Sequence, residues 1–279
     1  MPDGLCAVLL AAGAGTRLRP LTGVRPKALC PVGNRPLLDR ALDAVASLGL
    51  TGPDRVAVNA WHHAGAIVDH LTAPTVRAHV AVEPGPEPLG SAGGLAALRD
   101  WIDGRDTVVG NADAYLTGGD LAGLVDGWSG KNVRMLVVSA GDRSPEFGAH
   151  RFAGFSVIPW EMLRDLPDGY GDLVESVWRP AEAEGRLRLI EYAGRYLDTG
   201  TPADYLAANL SEAALAGGVL RAPGTGTGTA TASVIGAGAR VDGAVDRCVV
   251  WPGAVVAAGE RLERAIRFGS APEATVRVP

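Results

Sequence analysis

Residues 9 to 32 read LLAAGAGTRLRPLTGVRPKALCPV. Gly13 and Gly15 end an apolar run, Arg17, Arg19 and Arg25 follow, and Lys27 sits between Pro26 and Pro31. Glycine lets main-chain N–H groups lie close to a ligand, and clustered cations offset negative charge, so the pattern suggests a phosphate-rich ligand. A dinucleotide fingerprint would need a third glycine where Leu18 stands, a helix opening directly there, and an acidic residue about 20 positions on. Pro20 and Pro26 prevent such a helix. A P-loop would need GKS or GKT, which the chain lacks. What remains is a loop whose glycines admit a nucleotide to the backbone while Arg17 and Lys27 reach toward phosphates. Lysine occurs only at 27 and 131 against many arginines, the mark of a GC-rich genome, so Lys27 stands out.

Such a loop needs a strand behind it. Leu5–Ala11 is a continuous apolar run, the kind buried on both faces of a parallel sheet. Residues 36–48 carry a helical apolar stripe, with Pro36 near the start and Gly49 just past the end. Strands are expected at 55–59, 76–82, 107–110 and 133–139, and helices at 64–71, 92–102 and 121–128. This β-α-β-α rhythm implies an open, mostly parallel α/β sheet covered by helices. Ligands in such sheets sit beyond the carboxyl ends of the strands, where both the opening loop and Asn111–Asp113 fall. Later segments are mixed: strands near 152–158 and 186–192, helices near 160–165, 173–184 and 202–216.

The chain of 279 residues, 47% hydrophobic and 20% charged, is long enough for a large α/β domain with a small appendage. Its net charge of −5 argues against a nucleic-acid partner held by bulk electrostatics. Cys6, Cys30 and Cys248 form no paired framework, as expected of an intracellular protein. The apolar stretch at 5–12 is too short and glycine-bounded for a signal peptide, and no run approaches the ~20 apolar residues of a membrane span. A cytoplasmic protein without membrane partners is expected. The five histidines have neither HxxxH nor H-x-E spacing, which argues against zinc.

Residues 222–232, APGTGTGTATA, read as a linker with no packing face. Beyond them Ile235, Val241, Val250, Val256 and Leu262 recur near six-residue spacing, and two G-A-x-V type turns fall ten apart. Six-residue aliphatic periodicity predicts a parallel β-helix of triangular section. Only about two coils are expected, so the tail should lean on the α/β domain or on another subunit, forming a homo-oligomer. The expected division is a domain over 1–217, a Gly/Thr-rich linker over 218–233 and a β-helix-like tail over 234–279.

The opening stretch resembles the signature LAAGxGTRLxPLT…PKxLxPV of the sugar-1-phosphate nucleotidyltransferases. Leu10, Ala11, Ala12, Gly13, Gly15, Thr16, Arg17, Leu18, Pro20, Leu21, Thr22, Pro26, Lys27, Leu29, Pro31 and Val32 meet its fixed positions. Pro88 to Gly94, PLGSAGG, is similar to the family's PLGTAGA, and Asn111-Ala112-Asp113 to its NGD. Phe152-Ala153-Gly154 resembles the segment whose glycine lies against the sugar. Residues 196–205, YLDTGTPADY, match W-x-D-x-G-T-P-x-x-Y. The hexapeptide tail recurs in mannose-1-phosphate guanylyltransferase-like members.

The resemblance implies a Rossmann-like mixed, mostly parallel sheet (the nucleotide-diphospho-sugar transferase fold) with a short C-terminal left-handed β-helix-like segment. It implies a nucleoside triphosphate and a sugar 1-phosphate as substrates and magnesium (Mg2+) as cofactor, with Asp113 and Asp198 as its ligands. Arg17, Lys27 and Asp113 would be catalytic. Leu10 to Gly13, Gly15, Thr16, Arg17, Leu89, Gly90, Ser91, Ala92 and Gly93 would line the nucleotide, and Asn111 and Gly154 the sugar. GTP with mannose 1-phosphate is the favoured pair, with uridylyl or thymidylyl transfer and a non-catalytic sensor as alternatives. His62-His63 is similar to a stretch of muramic acid-1-phosphate uridylyltransferases. The chain departs from the family between 140 and 151, where a longer hairpin with Glu-Lys-Pro is usual. Here SAGDRSPEFGAHR has no lysine, leaving Arg143 or Arg151 as substitutes with a different donor geometry.

Overall fold

The computed structural model describes residues 4–279; the first three residues of the expected first domain lie outside them. The chain divides into two compact units. One comprises the chain up to Ala14 together with Leu38–Tyr196, the other Gly15–Leu37 with Leu197–Pro279. The division cuts through the signature loop itself, just before Gly15.

The first unit is built on a seven-stranded sheet. Its strands are β1 (Leu5–Leu10), β2 (Val56–Ala60), β3 (His79–Val82), β4 (Asp106–Asn111), β5 (Val133–Ser139), β6 (His150–Ile158) and β7 (Leu187–Glu191). They lie in the order β7-β5-β6-β4-β1-β2-β3. The ladders β1–β2, β1–β4, β2–β3 and β5–β7 are parallel, while β6 runs antiparallel to both β4 and β5. The expected mostly parallel sheet is therefore present. Leu5 to Leu9 are all buried, as a strand covered on both faces requires.

Helix α1 (Leu37–Ala46) buries Leu38, Ala41 and Val45, and the chain leaves it at Gly49 with φ 71°. Helix α2 (Ala64–Thr72) buries Ile67 and Leu71. Helix α3 (Gly90–Ala96) starts two residues earlier than its apolar pattern predicts, and a separate turn follows at Arg99–Ile102. The helix expected at 173–184 is split into a π-helical turn, Val174–Trp178, and Arg179–Ala183. Pro180 explains the break, since it has no N–H for the regular ladder and its ring needs room in the preceding turn.

In the second unit the signature loop makes three single 3₁₀ turns, Thr16–Leu18, Leu21–Gly23 and Lys27–Leu29. No α-helix follows Gly15, as Pro20 and Pro26 predict. Helix α4 (Pro202–Leu215) is capped by Thr201, whose Oγ1 accepts from Asp204 N at 3.2 Å and donates to Asp204 Oδ2 at 2.7 Å.

The β-helix-like segment begins earlier than expected. Strands β8 (Leu220–Arg221) and β9 (Thr229–Thr231) lie inside the stretch read as a linker. They pair in parallel with β10 (Val234–Ile235) and with β12 (Ala244–Asp246), respectively. The glycines are there for packing rather than flexibility. A Cβ at Gly226 would stand 2.0 Å from Val241 O, and one at Gly228 would stand 1.9 Å from Gly243 O. Between them, β11 (Arg240–Val241) pairs with β14 (Val255–Val256), so Val241 faces Val256. The remaining rungs are β13 (Val249–Val250), β15 (Arg261–Glu263) and β16 (Ala265–Arg267). They set Val234, Val249 and Ile266 in one column and Val245 above Leu262 in another, all buried. Ala232, Arg247 and Arg264 repeat a left-handed corner, each with φ between 43° and 50°. The final strand β17 (Thr275–Arg277) pairs antiparallel with β16 and ends that ladder. Helix α4 packs on β10, β13 and β16. Among the described residues no helix is long and apolar enough to cross a membrane.

Candidate active site

In the first unit the carboxyl ends of β1, β2 and β4 lie side by side, with Leu10 paired to Asn59 on one flank and Asn111 on the other. The chain leaving β1 is tied down at once. Ala11 N donates to Asn59 Oδ1 at 2.7 Å, Asn59 Nδ2 donates to Glu83 Oε1 at 2.7 Å, and Leu89 N donates to Glu83 Oε2 at 2.8 Å. Asn59 and Glu83 are buried, so this relay fixes two expected nucleotide-binding segments relative to each other without solvent. Neither residue is among those the sequence motifs single out. Their signal is a polar side chain closing an otherwise apolar strand, in VAVNA and HVAVE. Ala12 is buried, whereas Gly13 is exposed with nothing within 4 Å of its Cβ position.

The segment expected to hold the base is stitched to a second loop. Ala92 N and Gly93 N donate to Gly171 O at 2.9 and 3.4 Å, Gly171 N donates to Leu89 O at 2.9 Å, and Leu173 N donates to Ser91 Oγ at 2.8 Å. Side chains are excluded here. A Cβ at Gly90 (φ 76°) would lie 2.4 Å from Gly171 O, one at Gly93 2.0 Å from Gly169 O, and one at Gly94 2.5 Å from Asn59 Nδ2. Three of the segment's glycines therefore accommodate the protein's own backbone and Asn59.

After β4 the chain turns tightly, with Ala112 N donating to Leu10 O and Ala114 N to Asn111 O, each at 3.0 Å. Asp113 sits in this turn, half-buried. Alanine can replace the family's glycine at 112 because that residue does not adopt a left-handed backbone. Gly154 on β6 does require glycine: its φ is 86°, and a Cβ would stand 2.5 Å from that of Ala114. The expected sugar-side residue thus abuts the turn that carries Asp113. In the shortened segment, Arg151 pairs with Glu146 at 3.5 Å, and Glu146 Oε2 accepts from Phe152 N at 3.0 Å.

In the second unit Gly15 takes φ 60°, and a Cβ there would stand 2.8 Å from Thr22 Cγ2 and 3.3 Å from Lys27 Cβ. Buried Thr22 donates from Oγ1 to Gly15 O at 2.9 Å. Buried Leu18, Leu21 and Leu29 anchor the three short turns. This scaffold leaves Thr16 and Arg17 exposed and Lys27 half-buried. Asp198 Oδ1 accepts from Gly200 N at 2.8 Å, making a tight turn before the Thr201 cap. The Cβ position of Gly200 lies 2.9 Å from Asp198 Oδ1 and 3.2 Å from Arg17 Nη2. Arg17 and Asp198, 181 residues apart by numbering (198 − 17), thus flank one glycine, whose Cβ would press on the ends of both side chains.

These segments are matched by comparison with known proteins. A family model for the MobA-like NTP transferase domain matches residues 7–217. The N-acetylmuramate α-1-phosphate uridylyltransferase of Caulobacter vibrioides is 27% identical over 233 residues, covering 72% of this chain and 94% of that protein. The mannose-1-phosphate guanylyltransferase of Mycobacterium tuberculosis is 27% identical over 291 residues, covering 94% of this chain and 79% of that protein. Among solved structures, one from Bacillus anthracis, provisionally named a glucose-1-phosphate thymidylyltransferase and crystallised with sucrose, aligns with a TM-score of 0.61 at 18% identity. It covers 75% of this chain and 95% of that one, a likeness of fold. With the domain match running from within β1 to just past α4 and taking in every segment of the candidate site, the chain belongs to the MobA-like NTP transferase family.

Proposed function

We propose that the protein joins a nucleoside triphosphate to a sugar 1-phosphate, with GTP and mannose 1-phosphate or a related hexose phosphate as the preferred pair. A phosphate oxygen of the sugar forms a bond to the α-phosphorus, the bond from that phosphorus to the β-phosphate oxygen breaks, and pyrophosphate leaves. Configuration at the α-phosphorus inverts. The observation that carries the reading is the signature loop, where Gly15 closes on Thr22 and Lys27 while Arg17 stands beside the Asp198 turn. Two polyanions must meet in this reaction, so fixed cations and precise positioning supply most of the catalysis. Arg17 is assigned to the β- and γ-phosphates and the departing pyrophosphate. Lys27 is assigned to the α-phosphate or the sugar phosphate.

Asp113 and Asp198 are assigned as magnesium ligands. The donor chemistry suits it: both are half-buried carboxylates on tight turns, and among the described residues no group of three or more His, Cys, Asp or Glu surrounds either, so phosphate oxygens and water would have to complete the shell. Magnesium is commonly held by one or two carboxylates with phosphate oxygens and water completing its shell. When bound it supplies neutralisation of phosphate charge. Asn111 and Gly154 are assigned to the sugar, and Ala11 to Gly13 with Leu89 to Gly93 to the nucleotide.

The relative from Caulobacter vibrioides, of whose length this chain covers 94%, supports uridylyl transfer as the second reading. Pyrophosphate release measured with GTP, UTP, dTTP, CTP and ATP against a panel of sugar 1-phosphates decides between them. No release with any pair would leave a nucleotide-sugar sensor.

A further inference from the structure

Tyr205 on α4 and Trp251 in the β-helix-like segment are fully buried, at 0% and 2% exposure. The indole Nε1–H of Trp251 donates to the Tyr205 hydroxyl at 3.0 Å, and that hydroxyl donates to the carbonyl of Pro31, four residues beyond Lys27. The polarity of this chain is forced. Indole nitrogen can only donate, so the phenol must accept from it and turn its own proton to Pro31. Burial raises the Tyr205 pKa well above its ordinary value, so the proton stays in place. A face of the indole carries the Arg25 guanidinium, 5.0 Å from the ring centroid, and Arg25 Nη1 donates to Leu29 O at 3.4 Å. Further along the same loop, Gly33 N donates to Asn209 Oδ1 at 3.0 Å and Asn34 Nδ2 to Ile235 O at 2.9 Å.

The residues on both sides of Lys27 are therefore held from the C-terminal segment of the chain. We propose that Trp251 and Tyr205 are positioning residues for catalysis, which set Lys27 by fixing Pro31 from α4 and Arg25 from the β-helix-like segment. The inference rests on the proposed role of Lys27 in phosphate transfer. Neither residue touches substrate; each acts through the loop.

The test uses the full-length protein and compares Tyr205→Phe, Trp251→Phe, Lys27→Ala and Val256→Ala. Val256 lies in the core of the same coil, on the ladder facing Val241. Melting temperature is measured for each, and kcat and KM are measured at a temperature where circular dichroism shows the variant folded. Tyr205→Phe is expected to lower kcat on the order of tenfold or more, the scale of a small misplacement of a catalytic group, with KM for the sugar phosphate little changed. Trp251→Phe keeps a ring under Arg25 and is expected to lose less. Val256→Ala is expected to lower the melting temperature with kcat unchanged. Wild-type kcat in Tyr205→Phe and Trp251→Phe, with a large loss in Lys27→Ala, overturns the positioning role and leaves the functional reading standing. An equal fall in Val256→Ala overturns it too, since any damage to the coil would then suffice. Unchanged kcat in Lys27→Ala removes the functional reading and the inference together.

Discussion

At the scale of single residues the site is defined by charge and by glycine. Asp113→Asn and Asp198→Asn each remove an anionic oxygen donor from a half-buried turn. Both are expected to abolish turnover in magnesium while circular dichroism stays native. Near wild-type rates in both would refute the ligand assignment. Arg17→Ala and Lys27→Ala are each expected to cost about 10²–10³-fold in kcat, the range for losing one preorganised transition-state donor. Unchanged kinetics at an unchanged melting temperature would make the loop structural. Gly154 carries a different burden. An alanine there would meet Ala114 at 2.5 Å on a backbone with φ 86°, so β6 and the turn of Asp113 must separate.

At the scale of elements, close backbone approach recurs as the reason for a sequence that looks flexible. Gly228→Ala would put a Cβ 1.9 Å from Gly243 O, forcing neighbouring coils apart, and is expected to lower the melting temperature by several degrees. Gly65→Ala, in the first turn of α2 with open space around it, is expected to stabilise by about 0.4–1 kcal/mol by narrowing the unfolded ensemble. Calorimetry on the pair checks both signs. Helices α1 and α2 are also joined electrostatically, through Asp39, which pairs with His70 at 2.7 Å and with Arg77. Burial pushes the Asp39 pKa up, but hydrogen bonds and charges from His70 and Arg77 outweigh it and hold the value at about 2, below the ordinary 3.8. A depressed carboxylate pKa gives stability that is present above the unfolded value and lost as pH falls through the folded one. The tie should therefore weaken between 3.8 and about 2. Denaturant titrations across that window should show a smaller acid loss in Asp39→Asn than in the parent protein, and equal losses would refute this.

At the scale of the whole molecule, base choice under the proposed function follows from how the segment assigned to the nucleotide is built. Leu89 offers no side-chain hydrogen bond, and an apolar contact separates related ligands by only about 1–3 kcal/mol. Main-chain donors in that region are partly committed, Ala11 N to Asn59 and Ala92 N and Gly93 N to Gly171. Modest selectivity is expected, with GTP first and UTP second in side-by-side initial rates. Exclusive use of dTTP or CTP would remove the guanylyl assignment.

The short-range features were legible in the sequence by itself. The apolar run of β1, the prolines that deny a helix after Gly15, the Thr201 cap and the β-α alternation all act over a few residues, where periodicity and dihedral restriction decide conformation. So was the gathering of glycines and cations in one loop after β1, because those residues are neighbours in the chain. What only the tertiary structure decided involves partners far apart in the chain. Tyr205 reaches Pro31 across 174 positions, Ser91 receives Leu173 N across 82, and Ala11 meets Asn59 across 48. The Gly/Thr stretch reads as a linker because its packing partners are backbone carbonyls on the next coil, and a carbonyl leaves no trace in residue type. Local pattern reports which face of an element is apolar. Which buried donor meets which acceptor is set when the chain closes on itself.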